Sequence, residues 1–106
     1  MAWVYLGLAA LLEVAFVLSM KASKGFTVFW PSLATVVGVI GGIGFLTLAL
    51  KTLPIGIGYP IWVGVGTLGS VVLGILIFGE AMSVPKILGV TFIILGVVSL
   101  KLATPA

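Results

Sequence analysis

Few side chains in this sequence could do chemistry, and the charged ones are the first candidates. The 106 residues include five lysines, two acidic residues, and neither histidine nor cysteine. Zinc sites, histidine bases, thiol chemistry and disulfides are therefore excluded. A lone carboxylate without a base, metal or nucleophile beside it forms no catalytic constellation, so we expect no enzyme, no metal and no cofactor. The scattered lysines form no basic stripe for nucleic acid.

Glu13 is the one charge inside the apolar stretch of residues 2–20. An ionised carboxylate within a bilayer costs several kcal/mol, and such residues usually mark ion or proton pathways. No lysine lies at the same depth, so its partners are a proton or a cation from outside the chain. The alternative is a neutral, hydrogen-bonded glutamic acid that fixes helix packing. We expect Glu13 to bind both substrate and proton.

Helical spacing predicts the walls of a pocket around Glu13. Its neighbours at three, four and seven residues on the same helix are Leu6, Ala9, Ala10, Phe16, Val17 and Met20. The same spacing places Tyr59, Trp62, Val63 and Gly66 on one face of the third predicted helix, which could form a second wall. Aromatic rings attract cations and a tyrosine hydroxyl can hydrogen-bond a carboxylate, while a pure core role for Tyr59 or Trp62 is the alternative. The combination predicts a small organic cation as ligand.

Membrane helices must position these residues. In this chain 62% of residues are hydrophobic and 7% are charged, against about 25% charged in a soluble domain. Residues 25–50 and 52–79 carry no charge, and each run exceeds the roughly 20 apolar residues that span a bilayer. We predict an all-α membrane protein with a single transmembrane domain, residues 1–106, and four helices at about 2–20, 27–50, 53–78 and 84–103.

Glycine spacing predicts close packing and one flexible point. A Gly-x-x-x-Gly pair that ends at Gly42 lets helices approach closely, and Gly42 is also a candidate for the substrate-lining wall. Gly64 and Gly66 are a candidate hinge in the third helix, which is rich in glycine and proline. Gly89 and Gly96 share a face of the fourth helix, which has no chemistry of its own, and are the predicted dimer contact.

The lysines predict a dimer of oppositely oriented subunits. Lys51 and Lys101 fall on one side of the membrane, and Lys21, Lys24 and Lys86 on the other. This near balance leaves the positive-inside rule without a preferred orientation. A chain without an internal repeat also needs a second copy to create the inverted symmetry of a transporter. We predict an antiparallel, dual-topology dimer in which a proton and a cation compete for the Glu13 pair, giving antiport driven by the proton gradient.

Four motifs follow one another along the chain: Glu13, then Lys21-x-Ser23-x-Gly25-Phe26-Thr27, then Trp30-Pro31-Ser32, then Pro54-Ile-Gly56-x-Gly58-Tyr59-x-Ile61-Trp62-x-Gly64-x-Gly66. With them, over essentially its whole length, the chain resembles the small multidrug resistance family of bacterial inner-membrane transporters. The resemblance implies an antiparallel dimer of four-helix subunits that exchanges cations for protons at Glu13. It also implies that Tyr59 and Trp62 line the site, that Gly64 and Gly66 lie at a bend, and that the fourth helix forms the dimer contact.

Two opposing features bear on the substrate class. The stretch Lys51-Thr-Leu-Pro-Ile-Gly56 and Lys101 look like the guanidinium-exporting branch of that family. That branch typically has glycine, tryptophan and serine where this chain has Ala10, Phe16 and Gly42, and the loss of polar donors favours bulkier cations. We therefore expect export of lipophilic or quaternary ammonium cations, with guanidinium, polyamine or lipid-linked metabolite transport as alternatives. A heterodimer and a non-transporting membrane scaffold are further alternatives, and Glu80 is expected to be an ordinary charge at a loop end.

Overall fold

Four α-helices make up the structure, a computed structural model that describes residues 1–104. They are α1 (Ala2–Ala22), α2 (Phe29–Ala49), α3 (Ile55–Phe78) and α4 (Val84–Leu102). Each helix is long and apolar enough to cross a membrane, which confirms the predicted all-α membrane fold. Residues 105 and 106, the end of the predicted domain, lie outside the described residues.

The observed helix ends differ from the predicted ones by at most two residues. Helix α3 begins after Pro54, whose backbone is extended at φ −60° and ψ 146°, so the residues before it belong to the connecting loop. Helix α4 is preceded by Ser83, whose hydroxyl accepts a hydrogen bond from the backbone N–H of Lys86 at 3.3 Å. Pro85 fits the first turn of α4, because no hydrogen bond is required of its nitrogen there.

A tight loop around Ser23 joins α1 to α2. The Ser23 side chain is fully buried; its Oγ donates to the carbonyl of Met20 at 2.6 Å and accepts from the backbone N–H of Phe26 at 3.1 Å. Lys24, Gly25 and Phe26 all have left-handed backbone, with φ of 50°, 74° and 65°. Only glycine adopts that conformation without strain, so the hydrogen bonds of Ser23 hold a loop that its neighbours would not form alone.

Helix α1 packs against both α2 and α3, and α3 contacts each of the other three helices. At the contact with α2, a Cβ on Gly38 would lie 2.7 Å from the Cβ of Phe16, so glycine permits the close approach that its spacing predicts. The buried apolar side chains come from α1, the second half of α2 and the segment that begins α3: Leu6, Ala9, Ala10, Leu46, Ala49, Leu53, Ile61 and Trp62.

Helix α4 lies at the periphery of the subunit. Within residues 1–104, none of its side chains is buried. It packs along α3, and Lys101 near its end reaches α1, where the Nζ atom lies 4.3 Å from the centre of the Trp3 ring. Large apolar side chains are exposed along it; Phe92 is 70% exposed and Leu95 is 57% exposed. Such a surface is suited to lipid or to a second membrane subunit rather than to water.

Candidate cation-binding site

Glu13 lies in the middle of α1, and its side chain rests against Gly66 of α3. A Cβ at position 66 would overlap the carboxylate of Glu13, so only glycine leaves room for this side chain at the α1–α3 contact. Among residues 1–104, the enclosed Oε1 atom of Glu13 has no hydrogen-bond partner. An unpartnered buried acceptor costs about 1–3 kcal/mol, and more when charged. The carboxyl group is therefore suited to an added proton or cation.

A cavity of about 390 Å³ opens beside Glu13. Its walls, which define the Glu13 cavity, are Glu13, Val17, Leu18 and Lys21 of α1, Gly66, Thr67, Ser70, Val71, Gly74 and Phe78 of α3, and Glu80 after α3. Two rows with a spacing of four residues face each other in it, positions 13, 17 and 21 on α1 and positions 66, 70 and 74 on α3, because four residues return a helix to nearly the same face. The cavity thus runs from the middle of α1 toward the membrane face at which α1 and α3 end.

Two hydroxyl groups of α3 supply acceptor oxygens to the Glu13 cavity. Ser70 donates its proton to the carbonyl of Gly66 at 2.8 Å, and Thr67 donates to the carbonyl of Val63 at 2.6 Å. Because each hydroxyl proton is used within the helix, the oxygen lone pairs remain to accept hydrogen bonds from a ligand. Together with Glu13 they form a set of acceptors that fits a cation with N–H groups. Helical spacing could have indicated Ser70, which lies four residues beyond Gly66, but neither hydroxyl was among the predicted site residues.

The mouth of the Glu13 cavity carries an ion pair. The Nζ atom of Lys21 lies 3.8 Å from Oε2 of Glu80 and 5.5 Å from the centre of the Phe78 ring. Glu80 lies in the loop just after α3, as expected, and its side chain also folds back over Gly74 and borders the cavity. The only signal for this in the sequence is the preceding Gly79, a residue type that often ends a helix by reversing the chain.

The predicted aromatic wall lies beside the Glu13 cavity rather than in it. The ring centres of Tyr59 and Trp62 are 5.8 Å apart, but Trp62 is buried in the apolar core while Tyr59 is half exposed. Tyr59 and Val63 line a second cavity of about 470 Å³ between α3 and α4. Thr67 borders both cavities, so the two adjoin along α3. Substrate contact by Tyr59, Trp62 and Val63 stays a prediction.

The other predicted wall residues lie at helix contacts. Phe16 packs against Gly42, where a Cβ would meet the phenyl ring at 3.5 Å. Ala10 is buried and borders a small cavity of about 140 Å³ together with Trp3 and Ile61. In the described part of the single subunit, Ala10, Phe16 and Gly42 do not border the Glu13 cavity. Their contact with substrate stays a prediction.

Helix α3 runs without a break through the predicted hinge at Gly64 and Gly66. A Cβ at Gly64 would lie 2.6 Å from the side chain of Val97 on α4. Both glycines therefore serve close contacts, one with α4 and one with Glu13, and a hinge motion stays a prediction. At Gly89 and Gly96 an added Cβ would meet nothing within 4 Å. Gly96 also borders the cavity between α3 and α4, and a dimer contact at these two glycines stays a prediction.

The fold and the site define a class of protein, the small multi-pass membrane transporters. The chain has four membrane-length helices, and one carboxylate within the first of them borders a cavity between α1 and α3. Residues 1–104 contain no group of three His, Cys, Asp or Glu side chains that could hold a metal. The family model described as Small Multidrug Resistance protein matches residues 1–93. The chain belongs to the small multidrug resistance family.

Similar proteins cover the chain almost completely. The guanidinium exporter of Proteus vulgaris is 38% identical over 104 residues, which are 98% of this chain and 100% of that protein. The guanidinium exporters of Yersinia pestis and Salmonella typhimurium are 40% and 39% identical over 98% of this chain and over 100% and 99% of their own lengths. With its four spans and these relatives, the chain is a multi-pass protein of the bacterial inner membrane.

Proposed function

We propose that the chain exports a cation of the guanidinium class in exchange for protons, with Glu13 as the group to which both bind. The observation that carries this proposal is the Glu13 carboxylate, seated on Gly66 in a cavity with free acceptor oxygens. The three relatives compared above are named guanidinium exporters, and their names support the same substrate class. They favour guanidinium over the lipophilic or quaternary ammonium cations expected from Ala10, Phe16 and Gly42.

Exchange follows from competition for one carboxyl group. A protonated Glu13 offers no charge to a cation, and a Glu13 that holds a cation does not take up a proton. If the site opens to one side of the membrane at a time, a proton that enters from outside releases the cation there. The outward movement of cations is then driven by the inward movement of protons, and the proton gradient supplies the free energy.

A second subunit in the opposite orientation would complete the exchange cycle. The Glu13 cavity of one subunit leads to the membrane face that carries the α1–α2 and α3–α4 loops. In an antiparallel dimer the two cavities would lead to opposite faces, which is the arrangement that alternating access needs. The open face of α4 at Gly89 and Gly96 supports a dimer contact there. The partner is a second copy of this chain or, in a heterodimer, a related one.

The acceptor oxygens give the proposal a chemical test. Guanidinium carries N–H donors on every side, whereas a tetraalkylammonium ion has none. Removal of the Ser70 hydroxyl should therefore weaken guanidinium binding and leave tetraalkylammonium binding unchanged. A lost hydrogen bond to a charged group is worth about 1.5–3 kcal/mol, so the dissociation constant for guanidinium should rise by about tenfold or more in Ser70→Ala.

The experiment measures proton release and cation binding on purified protein, and transport in proteoliposomes. Guanidinium should release protons from the wild type but not from Glu13→Gln. Ser99→Ala is the matched control for Ser70→Ala, because Ser99 also donates to the carbonyl four residues back, at 2.7 Å, but on an exposed face. Gradient-driven guanidinium transport by Glu13→Gln would refute the proposal, as would equal effects of the two serine variants.

A second candidate function is export of lipophilic or quaternary ammonium cations. It is favoured by the apolar part of the cavity wall, where Val17, Leu18, Val71 and Phe78 offer no hydrogen bonds. Proton release by a tetraalkylammonium ion, dependent on Glu13 and larger than that caused by guanidinium, would support this function instead. Absence of proton release with both ions would support the scaffold alternative.

A further inference from the structure

Glu13 and Glu80 occupy equivalent seats at the two ends of one cavity. Glu13 rests on Gly66; a Cβ at Gly74 would lie 2.7 Å from Oε1 of Glu80. Both glycines belong to the row of α3 positions 66, 70 and 74, and Ser70 lies midway between them. Eight residues of α-helix correspond to about 12 Å. The cavity thus has a carboxylate at each end and an acceptor oxygen between them.

The end of α3 explains why Glu80 points back into the cavity. Gly79 has left-handed backbone at φ 65°, and the following N–H, that of Glu80, donates to the carbonyl of Gly74 at 3.3 Å. This arrangement reverses the chain at the helix terminus and is a conformation that glycine favours. It turns Glu80 onto the last turns of α3 instead of into the loop beyond.

Glu80 forms a weak ion pair with Lys21, a cation of the protein itself. The ammonium of Lys21 is 3.8 Å from the Glu80 carboxylate, and the two side chains are 57% and 42% exposed. Exposed ion pairs of this length contribute little to stability, so another cation can replace Lys21 at small cost. A guanidinium ion has an advantage, because its planar N–H groups bind a carboxylate in pairs and an ammonium does not.

We propose that Glu80 is a second cation-binding carboxylate, which receives the substrate at the mouth of the Glu13 cavity in place of Lys21. The Phe78 ring beside Lys21 offers the arriving cation a cation–π contact. From Glu80 the cation passes Ser70 and reaches Glu13, while Lys21 turns toward water. This inference rests on the proposed function of Glu13 and adds the route by which the cation arrives.

The two partners of the ion pair should act in opposite directions. In Glu80→Gln, the charge of Lys21 remains at the mouth and repels cations, so the KM for guanidinium should rise by about tenfold at low salt, while kcat stays within about twofold. In Lys21→Gln, the carboxylate is free and the KM should fall. Both shifts should shrink at high ionic strength, because these groups are exposed and salt screens them.

Transport in proteoliposomes, measured at two salt concentrations with both single variants and the double variant, tests the proposal. Lys86→Gln is the matched control. The Nζ atom of Lys86 donates a hydrogen bond to the carbonyl of Ala81 at 2.6 Å near the same membrane face, and Lys86 does not line the cavity. If the pair only held the loop in place, Glu80→Gln and Lys21→Gln would shift KM in the same direction. That result, or wild-type KM in both variants, would overturn the proposal.

The same measurements separate this inference from the function of Glu13. Proton release by guanidinium at equilibrium should persist in Glu80→Gln, because Glu13 is intact. If guanidinium also released protons from Glu13→Gln, both proposals would be overturned. If proton release depended on Glu13 but the Glu80 and Lys21 variants kept the wild-type KM, only this one would be overturned. The thermal unfolding temperature of each variant should match that of the wild type, because these groups are exposed. A match verifies that a changed KM comes from the cavity mouth and not from a destabilised fold.

Discussion

The contact between Gly66 and Glu13 can be tested by adding a single methyl group. In Gly66→Ala the new Cβ would overlap the carboxylate and lie 2.9 Å from Cγ of Glu13. Rotation of the carboxylate alone cannot relieve a contact that includes Cγ, so the whole side chain must turn away or α1 and α3 must separate. Overpacking of this kind typically costs about 1–3 kcal/mol.

The cost should appear mainly in cation binding rather than in folding. Replacement of glycine by alanine inside a helix gains about 0.8–1 kcal/mol of helix propensity, which offsets much of the strain. The free energy of unfolding should therefore fall by no more than about 2 kcal/mol. If the strain acts on the Glu13 conformation that binds the cation, the dissociation constant for guanidinium should rise by about 5- to 150-fold.

Two glycine controls isolate the carboxylate contact. Gly69→Ala overpacks the same α1–α3 interface, because its Cβ would lie 2.5 Å from Val14, an apolar residue. Gly44→Ala adds a methyl group where nothing lies within 4 Å. Calorimetry with guanidinium and thermal unfolding should show strong loss of binding in Gly66→Ala alone. Wild-type binding by Gly66→Ala, or an equal loss in Gly69→Ala, would refute the assignment of Gly66 as the seat of Glu13.

Three further predictions concern the loop, the dimer and the proton. Ser23→Ala leaves the backbone N–H of Phe26 without its hydrogen-bond partner and should lower the free energy of unfolding by about 1–3 kcal/mol. Thermal or denaturant unfolding measures this change, and Thr47→Val, which removes a hydroxyl from an exposed face, is the control. Gly96→Leu adds a side chain whose Cβ meets nothing within 4 Å in the single subunit, and it should weaken the proposed α4 contact. Cross-linking that detects undiminished dimers would contradict this. Guanidinium affinity should fall as pH falls, by at most about tenfold per pH unit for one competing proton; binding that is independent of pH would exclude competition at Glu13.

Much of the fold follows from local properties of the chain. A run of about 20 apolar residues has few stable alternatives to a membrane-spanning helix, because a bilayer cannot satisfy an exposed backbone. The four predicted spans agree with the structure for this reason. The differences at the ends arise where specific hydrogen bonds and Pro54 decide which residue begins a helix.

The candidate site was predicted only in part. Helical spacing identifies which residues share a face with Glu13, but it does not say which face of another helix that face meets. Ser70 and Thr67, whose oxygens line the cavity, were missed because small hydroxyl residues are common in membrane helices. Tyr59 and Trp62 were predicted near Glu13 from spacing within α3, yet in the single subunit they lie in a neighbouring cavity and in the core.

The sequence by itself determined the membrane class, the four spans and the isolation of Glu13, because the hydropathy and charge of a segment depend only on the residues within it. The register between α1 and α3 was decided by the tertiary structure. Which residue of α3 a side chain of α1 contacts depends on where glycines let the two helices pack closely. That register sets Glu13 on Gly66, and the reversal at Gly79 brings Glu80 to Lys21. Two charges far apart in the sequence thereby lie at the ends of one cavity, a relation that no local pattern contains.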